Sequence, residues 1–218
     1  MSEGNPSIAG MYRHSMVIAS DFRIPSPEKV RPLLERNRSG LAEMGAHHVL
    51  IYRSIAEPGR VLVMIGLGGR EPVVDLLRSG AFHSWFDTVG VQDLPAVFAG
   101  EIIERFDFTE HGGGGDEPGH AVIAAIVAAQ DTALLAVNLG ASRERFRAAG
   151  IRKTWVFGAF DDPGEVLILQ EVADEAAAKA WVRRHDAAAD WMAETGIGVY
   201  PPLFLGEFVA LVEVDPPA

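Results

Sequence analysis

Apolar and polar positions along the chain follow two alternating periods, and the same succession occurs twice. Met16-Val17-Ile18-Ala19 is an unbroken apolar, β-branched run, which predicts a strand buried on both faces. Ser26 then stands as an N-cap with Pro27 at the first helical position. Val30, Leu34, Leu41 and Met44 recur at helical spacing, and Gly45 suits the left-handed position that ends a helix. Val49 to Ser54 and Arg60 to Ile65 predict strands joined at Glu57-Pro58-Gly59, because Pro fixes φ and Gly accepts the positive φ that follows. A helical stretch over Pro72 to Asp87 and a strand over Ala96 to Phe108 complete the unit. The second succession has Asp131 as cap, then Leu135, Leu139, Phe146 and Ala149 on the apolar stripe, and Gly150 as stop. Strands over Thr154 to Phe160 and Glu165 to Gln170 flank Asp162-Pro163-Gly164; a helix over Ala173 to Glu194 and a strand over Leu203 to Val214 follow.

The two successions are copies. Gly45 falls on Gly150, 105 positions later, and the same step carries Tyr52 onto Phe157, Pro58 onto Pro163, Gly59 onto Gly164 and Val61 onto Val166. One extra residue then makes the step 106, so that Trp85 falls on Trp191, Gly90 on Gly196, Phe98 on Phe204, Gly100 on Gly206 and Glu101 on Glu207. Between the copies, Gly112 to Gly115 followed by Asp116-Glu117-Pro118 reads as a flexible linker, since a phosphate loop would need a helix opening directly after it. The expected organisation is a first unit over residues 12–108, a linker over 109–119 and a second unit over 120–214.

The order strand, helix, strand, strand, helix, strand is the ferredoxin-like split unit, an α+β arrangement with both helices on one face of an antiparallel sheet. Yet Val61, Leu62, Val63, Met64 and Ile65 are apolar at both parities, so the helix-free face needs cover as well. The second copy is the available cover, and two units packed sheet to sheet within one chain satisfy both faces.

Composition narrows the function classes. The 218 residues carry 19 Lys and Arg against 30 Asp and Glu, a net charge of −11, which disfavours nucleic acid and anionic membrane as partners. With no Cys, disulfides, thiolate nucleophiles and Cys-type zinc sites are excluded. No apolar stretch approaches the ~20 residues of a membrane span. The opening MSEGNPSIAG lacks the order of a secretory signal, so a cytoplasmic location is expected.

The Pro-Gly hairpins, the helix ends AFHSWFDTVGV and AAADWMAETGIGV, and the closing strands PAVFAGEIIERF and PPLFLGEFVALV resemble the dimeric α/β-barrel superfamily, in tandem form, and are similar to domains of the antibiotic-biosynthesis-monooxygenase type. The resemblance spans Tyr12 to Val214. It implies an intramolecular version of a barrel that relatives build between subunits, so that a monomeric pseudo-dimer suffices, with a homodimer as the other arrangement. Relatives include cofactor-free oxygenases, haem-degrading and haem-binding enzymes, lactone isomerases and polyketide cyclases.

Candidate chemistry concentrates in the first copy. His83 faces Ala189 in the alignment, and a duplicated scaffold needs only one working pocket, so His83 is the candidate base; a solvated residue near a helix end is the competing reading. Trp85 is either a pocket wall or the anchor of its helix, and its retention as Trp191 fits the anchor. Tyr52, Phe82, Phe98 and His14, with Tyr12, Trp155 and Trp181, supply aromatic and polar lining for a pocket between helices and sheet. Haem-degrading relatives carry an Asn, Trp and His set; Trp85 and His83 match it loosely, and Met16 to Ser20 contain no Asn. His47 and His48, adjacent on a strand, point to opposite faces and cannot chelate one ion. Glu101 and Glu207 either meet at the interface of the two sheets or bond separately near strand ends. The expectation is a protein that binds a small apolar or aromatic molecule, with no cofactor or metal, and with monooxygenase- or isomerase-type activity. The alternatives are a non-catalytic binding or structural module and, third, a haem-binding protein.

Overall fold

Eight strands pair in antiparallel fashion until the last meets the first, in the order β1-β3-β2-β8-β5-β7-β6-β4. The strands are β1 (Met16–Arg23), β2 (Ala46–Ser54), β3 (Arg60–Leu67), β4 (Ala96–Asp107), β5 (Ala121–Ala128), β6 (Ile151–Ala159), β7 (Glu165–Val172) and β8 (Phe204–Glu213). The helices are α1 (Val30–Arg36), α2 (Arg38–Glu43), α3 (Gly80–Val89), α4 (Thr132–Ala141), α5 (Arg143–Ala148) and α6 (Glu175–Arg183). This computed structural model describes residues 16–69, 73, 80–91, 95–109, 121–183 and 203–214, without the side chains of 80–83 and 89.

Each half keeps the sheet order of a ferredoxin-like unit, 4-1-3-2, and the halves join edge to edge through β2 with β8 and β6 with β4. The expected sheet-to-sheet packing is thus also a closure. The two closing strands belong to both halves: β8 starts on β5 and continues along β2, and β4 starts on β1 and continues along β6. The change overlaps at Gly100–Glu101 and Gly206–Glu207, and just beyond it each strand carries a bulge, where Ile103 and Val209 are inserted and stand 43% and 45% exposed. These two residues are 106 apart and hence equivalent (103 and 209). A bulge bends and re-phases a strand. Before it Phe98 faces the barrel lumen; after it Phe106 packs with the outer core of the other half.

Strand alternation sorts the core into three parts. The lumen is filled from all eight strands: Val17 and Ala19, Leu50 and Tyr52, Leu62 and Met64, Phe98, Val122 and Ala124, Trp155 and Phe157, Leu167 and Leu169, and Phe204. The opposite faces carry Ile18, Val49, Ile51 and Val63 in the first half, and Ile123, Val156, Val166 and Ile168 in the second. Helices cover these outer faces, with Val30, Leu34, Leu41 and Phe86 in one and Leu135, Leu139, Phe146 and Trp181 in the other.

Local signals are largely realised. Asp131 caps α4 by accepting from the Leu134 amide at 2.9 Å. Gly45 and Gly150 take φ of 73° and 81°. Ser26 makes no side-chain capping bond, and Pro27–Lys29 form a short 3-10 helix before α1. Two further local features differ. The first helix of each copy is broken, at Asn37 and at its equivalent Ser142, because each side chain donates back to the carbonyl four residues earlier, Leu33 and Asn138, both at 2.8 Å. The two Pro-Gly turns also diverge. Gly59 adopts φ 81°, whereas the Gly164 amide donates to Asp162 Oδ1 at 2.8 Å and the turn forms without a left-handed glycine.

The repeated Phe-x-Gly of the closing strands has a packing cause. The rings of Phe98 and Phe204 lie back over Gly100 and Gly206, where a Cβ would come within 2.8 Å and 2.3 Å of ring carbons. Gly206→Ala should therefore push the Phe204 ring out of the filled lumen and destabilise the fold by roughly 1–3 kcal/mol in urea unfolding, while Gly40→Ala, at an open helical site, should not.

The second hairpin also predicts a pH effect. Burial, with Asp161 and Asp162 adding repulsion, pushes the Glu165 carboxyl above its ordinary range. A carboxyl with a raised folded-state pKa loses the fold stability as pH climbs from the ordinary carboxylate range through the raised value. Glu165→Gln should accordingly raise Tm at neutral pH and leave it unchanged near pH ~3; an equal gain at both would assign the effect to something other than ionisation.

Candidate functional site

The lumen is lined by buried side chains from all eight strands, and two of the expected lining residues are among them. Tyr52 lies inside on β2, edge-on to Phe208 with ring centroids 5.9 Å apart, and Phe98 lies inside on β4. Trp155 is also in the lumen. Trp85 sits on α3, on the far side of the sheet, edge-on to Phe22 at 5.3 Å and Phe86 at 5.1 Å. The structure thus brings Tyr52 and Phe98 into one cluster and separates both from Trp85 by the thickness of the sheet. Strand parity is the reason: Tyr52 shares a face with Leu50, and the helix-facing residues of β2 are Val49 and Ile51. A single pocket between helices and sheet cannot take all three. His14 lies outside the described residues, as do Trp191, Ala189 and His185. Phe82 and His83 belong to α3, one helical turn before Trp85 and Phe86 respectively, and their side chains lie outside the description.

Polar groups at the two ends of the barrel are held by the scaffold. At one end Arg60 donates to both oxygens of Asp21, at 2.9 and 2.6 Å, to the Leu203 carbonyl at 3.1 Å and to Glu57, with its guanidinium 5.5 Å from the centre of the Phe204 ring. The bonds to Asp21 raise its pKa against the opposing effect of burial, so this group stays charged and structural. At the other end the His48 and His47 rings lie over Gly66 and Gly68, in the space that a Cβ would occupy. The second half replaces His48 and Gly66 by Lys153 and Glu171, whose charged groups are 4.0 Å apart. Glu207 accepts from Arg53 Nε at 3.0 Å, and Glu101 is exposed on β4. As β4 and β8 stand opposite one another in the barrel, the two carboxylates are separate. Among the described residues no cluster of three or more His, Asp or Glu converges as a metal site, and no helix is long and apolar enough to cross a membrane.

What remains is the layer between helices and sheet. In the first half it holds Trp85, Phe22, Phe86 and, two residues before Phe22 on the same face of β1, the buried Ser20. In the second half it holds two residues that the sequence reading passed over. Thr154 on β6 is 0% exposed, its hydroxyl has no hydrogen-bond partner among the described residues, and its cross-strand neighbour is Gln170 on β7, 5% exposed. The signal was available in the repeat, since the equivalents of Thr154 and Gln170 are Val49 and Ile65. Burying a hydroxyl without a partner costs about 1–3 kcal/mol, so its placement calls for a reason.

No family model and no curated protein matches the chain. Solved structures do. An anthrone oxidase-like protein superposes with a TM-score of 0.68 at 12% identity, covering 94% of this chain and 96% of its own. A monooxygenase-like protein from Listeria innocua gives a TM-score of 0.50 at 12% identity, covering 91% and 96%. A haem-binding protein from Thermus thermophilus gives 0.51 at 16% identity, covering 90% and 92%.

Trp85 rests against two buried rings, so removing it should loosen α3 from the sheet. Trp85→Ala is expected to cost roughly 2–4 kcal/mol in chemical unfolding, somewhat below a fully buried ring. A variant as stable as the parent would show that the indole serves something other than the fold.

Proposed function

The chain has the dimeric α/β-barrel fold in tandem form, and from that premise we propose that it binds a small apolar or aromatic molecule between α3 and the outer face of the first-half sheet. The observation that carries this reading is the division of the aromatic residues. The lumen is occupied, whereas Trp85, only half-buried, presents its ring in the helix layer beside Phe22 and Phe86. An apolar wall with few polar groups, of which Ser20 is one, suits a flat or acyl ligand. Structures of the same fold include one described as anthrone oxidase-like and one as monooxygenase-like, which supports oxygenation of such a molecule. Cofactor-free oxygenation or isomerisation asks the protein to desolvate an electron-rich substrate, hold it and remove a proton. His83, one turn before Phe86 on α3, is the residue proposed as that base. Phe82 and His14 are proposed as further lining.

The filled lumen favours a second reading for the barrel itself, a binding module without catalysis. One experiment separates the two. Polycyclic phenols, aryl ketones and acyl compounds are screened by thermal shift and tryptophan quenching, and oxygen uptake is followed with each ligand found. A stabilising ligand whose quenching disappears in Trp85→Phe is expected, together with turnover that falls at least ~100-fold in His83→Gln while binding persists. Binding without turnover in the parent would leave the module, and no stabilising ligand at all would end the proposal.

A further inference from the structure

The outer faces of the two half-sheets can be compared row by row, because register and repeat are both known. One row in the first half reads Val212, Val49, Ile65, Ile18, Ala99 across five neighbouring strands. Its equivalent in the second half reads Phe106, Thr154, Gln170, Ile123, Leu205. The first row is wholly apolar; the second carries a hydroxyl and a carboxamide side by side at its centre. Thr is close to Val in shape, and Val49 occupies the same position in a half with the same fold, so packing alone does not require the hydroxyl. Nor does hydrogen bonding among the described residues, where Thr154 Oγ1 has no partner.

We infer that the helix–sheet layer of the second half is a separate ligand site, in which Thr154 and Gln170 recognise the oxygen of a neutral, otherwise apolar ring compound. The walls fit that class. Phe106, Ile123, Ile168, Leu205 and Trp181 belong to the same cluster, and α6 packs over β5, β7 and β8. The neighbouring charges, Lys153 and Glu171, pair with each other across the strands, and Thr154 and Gln170 are both uncharged, so the row offers nothing for an ionised group. The Thr hydroxyl donates to a ketone oxygen, and the Gln carboxamide either donates to the same oxygen or accepts from a phenol. This site goes beyond the first-half reading, which rests on Trp85 and shares no residue with it.

The test uses the full chain and four probes of one size: 1-tetralone, 1-naphthol, naphthalene and 1-naphthoate. Without ligand, Thr154→Val should melt at or above the parental temperature. With ligand, tetralone and naphthol should bind the parent at least ~10-fold more tightly than naphthalene or naphthoate, and Thr154→Val/Gln170→Ile should erase that preference. The preference should survive in Trp85→Phe. A fall in melting temperature in Thr154→Val would make the hydroxyl structural and overturn the inference. Preference that persists in the double variant and is lost in Trp85→Phe would also overturn it, and would favour the first-half site. If none of the four binds the parent, the second-half site falls, and the first-half reading stands or falls by its own broader screen.

Discussion

Burial on both faces of one sheet is the constraint on which this molecule depends. Strands such as β3 present Val61, Val63 and Ile65 to one side and Leu62 and Met64 to the other. Helices of the same half cover the first side only. Shielding the second side with another sheet would leave four strand edges open; bending both sheets into one ring removes every edge at once. The closing strands perform this step. By crossing from their own half to the other they contribute Ala210 and Val212 to the first outer core and Phe108 to the second, so neither half completes its core alone. Paired bonds confirm the symmetry of the crossing: Phe108 donates to the Arg152 carbonyl at 2.8 Å and Val214 to the His47 carbonyl at 2.9 Å.

Much of this was legible. The duplication, the βαββαβ order, the left-handed Gly45 and Gly150 and the need for cover on the second face all follow from residue patterns. What escaped depends on partners distant in sequence or on competition within a turn. The helix breaks at Asn37 and Ser142 arise from side chains that bond back to a carbonyl and so compete with a continuous helix. The bulges at Ile103 and Val209 lie within the pairing of β4 with β6 and of β8 with β2, strands of the opposite half that no local window contains.

The candidate site was less legible for a related reason. Parity places Tyr52 and Leu50 on one face and Val49 and Ile51 on the other, but when both faces are apolar it does not say which one meets the helices. Tyr52 and Phe98, assigned to a helix-side pocket, therefore prove to be lumen residues. Thr154 and Gln170 were visible as departures from an apolar counterpart, but such a departure acquires meaning only when burial and a missing bond partner are known.

Asymmetry between the halves is consequently the more informative part of the repeat. At the barrel end where Arg60 joins Asp21 and Glu57, the equivalent position holds Glu165 beside Asp161 and Asp162. At the other end His48 over Gly66 becomes Lys153 with Glu171. Features needed for closure occur in both halves, as with Phe98 and Phe204, Gly100 and Gly206, and the two bulges. A pseudo-dimer in one chain differs here from a barrel built of two identical subunits, where any change in one helix–sheet layer is imposed on the other. Joining the subunits frees each layer to specialise while the common lumen stays filled. The aromatic layer under α3 and the hydroxyl–carboxamide row under α6 are the outcome expected of that freedom, because each alters an outer face and neither disturbs the lumen side chains that hold the ring closed.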